Sequence, residues 1–136
     1  MTGIIRFTLL VIAMSIFTLV SGQDKHQPKE LGQVQWLRNY DEALAMAEEK
    51  DLPVLLLFQE VPGCATCQNY GQMVLSHPLL VDAMETEFVP LAIYNNKGGH
   101  DKEVLQKFEE PSWNNPVVRA ISSDGKAINK RLAGNY

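Results

Sequence analysis

The stretch Pro53-Val54-Leu55-Leu56-Leu57-Phe58-Gln59-Glu60-Val61-Pro62-Gly63-Cys64-Ala65-Thr66-Cys67 decides how this chain folds. Val54 to Phe58 is an unbroken run of large apolar residues bounded by turn signals, which suits a central strand buried on both faces. Both cysteines of the chain come directly after it, and Cys64 to Leu75 reads as a helix with Gly71 as its weak point. Cys64 therefore stands where a buried strand hands over to a helix N-terminus. Unpaired backbone N–H groups and the helix dipole favour negative charge there, so the thiol is pushed towards thiolate, the nucleophilic form. Cys67, one helical turn on, is placed beneath it to attack a mixed disulfide formed on Cys64.

Outward from this stretch the pattern alternates. On the N-terminal side, Val34 and Trp36 give a weak strand signal, and Asn39 can cap a helix with Tyr40, Ala43, Leu44 and Ala47 at helical spacing. On the C-terminal side, His77-Pro78 breaks the first helix, and Leu79 to Glu87 reads as a second piece with Leu79, Leu80, Ala83 and Met84 on one side. Phe88 to Tyr94 is another buried-strand candidate, and Asp101 is the expected cap of a short helix through Phe108. Glu110 to Pro116 is irregular. Val117–Ile121 and Lys126–Leu132 flank Ser122-Ser123-Asp124-Gly125, a hairpin signal. Strands joined through helices, followed by a terminal hairpin, predict an α/β domain with a mixed sheet and helices on its faces.

The first residues have the layout of a secretory signal peptide: Arg6, then Phe7 to Val20 without a charge, then small residues to Gly22 and an abrupt polar turn at Gln23. Fourteen apolar-run residues are short for a span of about 20, although stretching the run back to Ile4 would make an uncleaved tether. The expected organisation is a signal peptide over 1–22, a flexible lead-in over 23–32 and one domain over 33–136. The expected location is periplasmic or extracellular, with no stable membrane anchor after cleavage. Cleavage after Gly22 leaves 11 Lys and Arg against 16 Asp and Glu, a formal charge of −5, with the charges scattered. Such a chain is a poor partner for nucleic acid or an anionic membrane surface.

Cys-x-x-Cys alone permits three chemistries. A zinc site needs further ligands, and none of His26, His77 and His100 stands at ligand spacing to the cysteines, so no metal is expected. A structural disulfide is natural in an exported protein, but so short a loop constrains the unfolded chain little. A redox pair fits the motif and its strand-to-helix position together. Glu60 is the nearest carboxylate, either a proton carrier or a solvated loop residue.

These residues resemble the thioredoxin-like superfamily over about Val34 to Leu132. The resemblance rests on the strand Val54–Phe58, the motif Cys64-Ala65-Thr66-Cys67, and Asn115-Pro116 ahead of Val117–Ile121. Val61-Pro62-Gly63 before the motif is similar to a smaller thioredoxin-like group, some members of which carry selenocysteine at the position of Cys64. The resemblance implies a three-layer α/β fold with a mixed central sheet, its C-terminal helix missing or very short. It implies an oxidoreductase in which Cys64 attacks and Cys67 resolves. Pro116 would be a cis-proline beside the pair, Asn115 would offer backbone groups to a substrate chain, and Trp113 could line the groove. The implied partners are a protein or small disulfide substrate and an electron-exchange partner, with no bound cofactor. A non-catalytic interaction domain with a structural disulfide is the alternative. Two departures stand out: Gly63 replaces the tryptophan usual before the first cysteine, and Leu57 or Phe58 stands where the family buries an acidic residue.

Overall fold

The computed structural model describes residues 27–129 and 132–133; the expected signal peptide lies outside the described residues. The elements run 3-10 turn (Lys29–Leu31), α1 (Tyr40–Lys50), β1 (Val54–Gln59), α2 (Ala65–Met73), α3 (Pro78–Glu87), β2 (Val89–Tyr94), α4 (His100–Lys107), β3 (Val117–Ile121) and β4 (Leu132–Ala133). The sheet order is β2-β1-β3-β4, with β1 parallel to β2 and antiparallel to β3. All six residues of β1 are buried, as the apolar run requires of a strand inside the sheet.

Alternation along β1 divides the core. Val54, Leu56 and Phe58 face one layer, where Tyr40, Ala43 and Ala47 of α1 and Val104 and Leu105 of α4 meet them. Leu57 faces the other, packed with Leu31, Val34 and Leu75 and with partly buried side chains of α2 and α3. The result is the three-layer thioredoxin-like arrangement, with a mixed sheet between two pairs of helices. Asn39 caps α1 through Oδ1, which accepts the Glu42 N–H at 3.0 Å, and Asp51 closes that helix in the left-handed region at φ 53°.

Several local expectations are corrected. The strand expected at Val34–Trp36 is only a bridge at Leu37, which pairs with Leu91, because the preceding backbone turns away and Gln33 N–H bonds the Leu75 carbonyl at 2.8 Å. The lead-in expected to be flexible is, over its described part, built into the fold: Glu30 and Leu31 are buried. Leu79 and Leu80 do not face the core and are 75% and 41% exposed. Met84 packs inward as expected, joined by Val81, and Glu85 holds the Gln35 N–H at 2.8 Å, which orients α3. The cap of α4 is Gly99, at φ 62°; Asp101 lies within the helix and pairs with Arg38 at 2.9 Å. Among the described residues the second hairpin strand consists of an Ile121–Ala127 bridge and β4.

Candidate active site

β1 ends at Gln59, and the turn Glu60 to Gly63 carries the chain to α2, where Cys64 is the N-cap residue. Cys64 is exposed and Cys67 buried, and both are free thiols with their sulfurs 3.7 Å apart. That separation leaves the dithiol state one small movement from a disulfide of about 2.05 Å.

The two thiols have opposite acidities. Cys64 is lowered from 9.0, chiefly by the backbone N–H of Cys67 in the first turn of α2, against a smaller opposing effect of burial. The Cys67 thiol and the backbone and hydroxyl of Thr66 add to the lowering. Cys67 is raised from 9.0 to about 11, first by burial and then by its contact with Cys64. The single proton of Cys67 has two acceptors, Cys64 Sγ at 3.7 Å and Asn115 Oδ1 at 2.5 Å. At neutral pH the arrangement is therefore an exposed thiolate-prone sulfur over a protonated buried one.

Glycine at position 63 has a packing cause. A Cβ there would stand 2.3 Å from the Glu60 carbonyl oxygen, 2.6 Å from Cys67 Cβ and 3.2 Å from Cys67 Sγ. The turn wraps so tightly over Cys67 that no larger residue fits. Its backbone is held from two sides: Gly63 N–H donates to Glu30 Oε1 at 2.9 Å, and Gln68 Nε2 donates to the Gly63 carbonyl at 3.1 Å. The Val61-Pro62 peptide within this turn is cis.

The chain brings Cys64, Cys67 and Asn115 together, with Pro116 buried next to Asn115 through a cis peptide bond. Trp113 is 80% exposed on the same connection and is packed into neither core. Glu60 half-faces solvent, with a carboxylate oxygen within 4.8 Å of both sulfurs. Along α2, Thr66, Asn69, Tyr70, Met73 and Val74 line an open depression of about 290 Å³ beside the pair.

Two residues of the site are absent from the sequence reading. Gln59, fully buried at the end of β1, donates Nε2 to the Glu30 carbonyl at 2.9 Å and to the Cys67 carbonyl at 3.4 Å. Strand alternation from Leu57 could have found it, since both point to the α2 face. Glu30 is the buried carboxylate of the site, 3% exposed. It comes from the 3-10 turn and not from β1, and no local signal marks it.

Comparison with known proteins bears on this geometry. A family profile described as Thioredoxin-like matches residues 35–122. No curated protein sequence matches the chain. Among solved structures, the chain is similar to the DsbH oxidoreductase, with a TM-score of 0.62 and 17% identity over 79% of this chain and 77% of that one. It is also similar to a thioredoxin from Thermus thermophilus, with a TM-score of 0.61 and 24% identity over 76% and 77% of the two chains. A candidate disulphide-isomerase from Bacteroides thetaiotaomicron gives 0.61 and 24% over 81% and 85%. At these identities the likeness is one of fold.

Proposed function

The chain belongs to the thioredoxin-like family, and on that premise we propose that it is an exported thiol–disulfide oxidoreductase acting through Cys64 and Cys67. The observation that carries the reading is the asymmetry of the pair: Cys64 exposed with a lowered pKa, Cys67 buried with a raised one, 3.7 Å apart.

Exchange runs in two displacements. Cys64 thiolate attacks one sulfur of a substrate disulfide, forming a mixed disulfide and expelling the other substrate sulfur as thiolate. Cys67 then gives up its proton and attacks Cys64 Sγ, so that the Cys64–Cys67 disulfide forms and the second substrate thiolate leaves. The substrate gains two electrons and the pair loses two, so a dithiol partner must return them for another cycle. Run in reverse, the same steps oxidise a substrate dithiol, and the reduction potential relative to the partner sets the direction. In this reading an extended substrate strand would lie against Asn115 and Pro116, and Trp113, exposed on the same connection, would be open to contact it; the contact of Asn115 with Cys67 supports this.

Insulin reduction by dithiothreitol, followed by turbidity, tests the reading. Wild-type protein should accelerate it, Cys64→Ser should abolish the acceleration, and Cys67→Ser should accumulate a mixed disulfide. Wild-type activity no greater than that of Cys64→Ser overturns it. Export rests on the layout of residues 1–22; mature protein recovered outside the cytoplasm should begin at Gln23 on N-terminal sequencing. Among the described residues no helix is long and apolar enough to cross a membrane.

A further inference from the structure

The geometry points to a second use of the same corner: Glu60, Cys64 and Cys67 form a three-donor site for a zinc ion that binds the reduced pair and blocks its exchange chemistry. By spacing the sequence offers only the two cysteine thiols as donors, because no histidine stands at ligand spacing to them. The fold supplies the third donor by turning Glu60 back over the start of α2, so that its carboxylate and both sulfurs lie within 4.8 Å of one another.

The spacing suits the ion. Two thiolates about 2.3 Å from a tetrahedral zinc stand about 3.8 Å apart, and the sulfurs here are 3.7 Å apart. The pair thus already has the edge length of a zinc–thiolate tetrahedron. The carboxylate must close by roughly 1 Å to reach the Zn–O distance of about 2.0–2.2 Å, a movement open to a half-exposed glutamate. Cys64 opens the site to solvent, and the fourth position is left to water. Two sulfurs and one carboxylate form a donor set that takes zinc in preference to calcium or magnesium.

Binding is a proton exchange without redox change. With Cys64 already a thiolate, Zn²⁺ displaces the one proton of Cys67 and forms two Zn–S bonds and one Zn–O bond. Where Cys64 is still protonated, two protons leave. Affinity therefore rises with pH, and oxidation to the disulfide removes both sulfur ligands and releases the ion. Zinc binding goes beyond the redox reading and stands apart from it, while the block of exchange rests on that reading.

Calorimetric titration of the fully reduced protein with zinc chloride tests the site, with cobalt chloride as the optical probe. One ion per chain is expected, with thiolate-to-cobalt charge transfer and visible bands of tetrahedral intensity. Glu60→Gln should weaken zinc binding by at least about tenfold, the scale of losses around metal sites. Cys67→Ser and the oxidised protein should lose binding. Stoichiometric zinc should suppress insulin reduction, with recovery on adding chelator. The idea is overturned if reduced wild-type protein takes up no zinc, if the Glu60→Gln protein binds as tightly as wild type, or if oxidised protein binds equally well. Zinc uptake by a protein inactive on insulin even with chelator would sink the redox reading and leave the metal site standing. The opposite pattern would do the reverse.

Discussion

At the scale of single residues, the site works because one sulfur is exposed at a helix start and the other is buried beneath it. Alkylation of the reduced protein with iodoacetamide should modify Cys64 first, with a midpoint below 9.0, while Cys67 resists until about pH 11; mass mapping of the labelled peptide checks both. The same shifts act on stability. Cys67 titrates at 9.0 when unfolded and at about 11 when folded, so between these values the unfolded chain has lost a proton that the folded chain keeps. Stability of the reduced protein should therefore be unaffected by Cys67 below pH 9 and fall between pH 9 and 11. Cys64 acts in the opposite sense, favouring the fold as pH rises towards 9.0. Urea midpoints across that upper range should drop more steeply for wild type than for Cys67→Ser. An equal drop in both would show that Cys67 is not held protonated by the fold.

At the scale of elements, α2 is positioned by close backbone approach. Gly71, the expected weak point of the helix, is where the 3-10 turn docks: a Cβ there would stand 2.0 Å from the Lys29 carbonyl oxygen. In an exposed helix, Gly→Ala stabilises by about 0.5–1 kcal/mol. Here the sign should reverse. Gly71→Ala should destabilise by about 1–3 kcal/mol through overpacking, and it should loosen the Glu30–Gly63 contact that the docked turn supplies. Chemical denaturation gives the first, and faster amide exchange at Gly63 gives the second. A stabilised Gly71→Ala protein would mean that the turn does not clamp α2. The boundaries of α1, β1 and α2 were legible in local chemistry: the Asn39 cap, the Pro53 stop and the apolar run. The docking of the 3-10 turn was not, because it depends on a glycine facing a segment some forty residues away.

At the scale of the whole molecule, β1 joins both layers. Phe58 is fully buried, with its ring 5.9 Å from Phe108 in an edge-on contact, and Phe58→Ala should cost about 3–5 kcal/mol in urea unfolding. A second tie is polar. Arg119 of β3 holds Glu110 with Nη2 at 2.5 Å and Nε at 3.0 Å, and the glutamate side chain is fully buried. Arg119→Met leaves that carboxylate without its cation and should cost about 3–5 kcal/mol, whereas adding Glu110→Leu should recover much of the loss. A double variant as unstable as the single one would show that Arg119 acts by packing alone. Both ties meet near the connection that carries Asn115 and Pro116, so the energetics of the sheet and the placement of the site are one problem.

What the sequence determined by itself was local: a doubly buried strand, a helix beginning at Cys64 and a mixed sheet with helices on its faces, whereas the cis-proline at Pro116 was implied only by the family resemblance. Those first three follow from patterns within a few residues of one another, where spacing alone sets which groups meet. The tertiary structure decided the rest. It buried Glu30 beneath the motif, brought Asn115 Oδ1 to Cys67, turned Glu60 towards both sulfurs, and left Leu79, Leu80 and Trp113 in solvent. It also gives Gly63 its reason, since the residue before Cys64 must lie within contact of Cys67. Those facts depend on which segments the sheet and its helices bring into contact, and residue spacing carries no record of that.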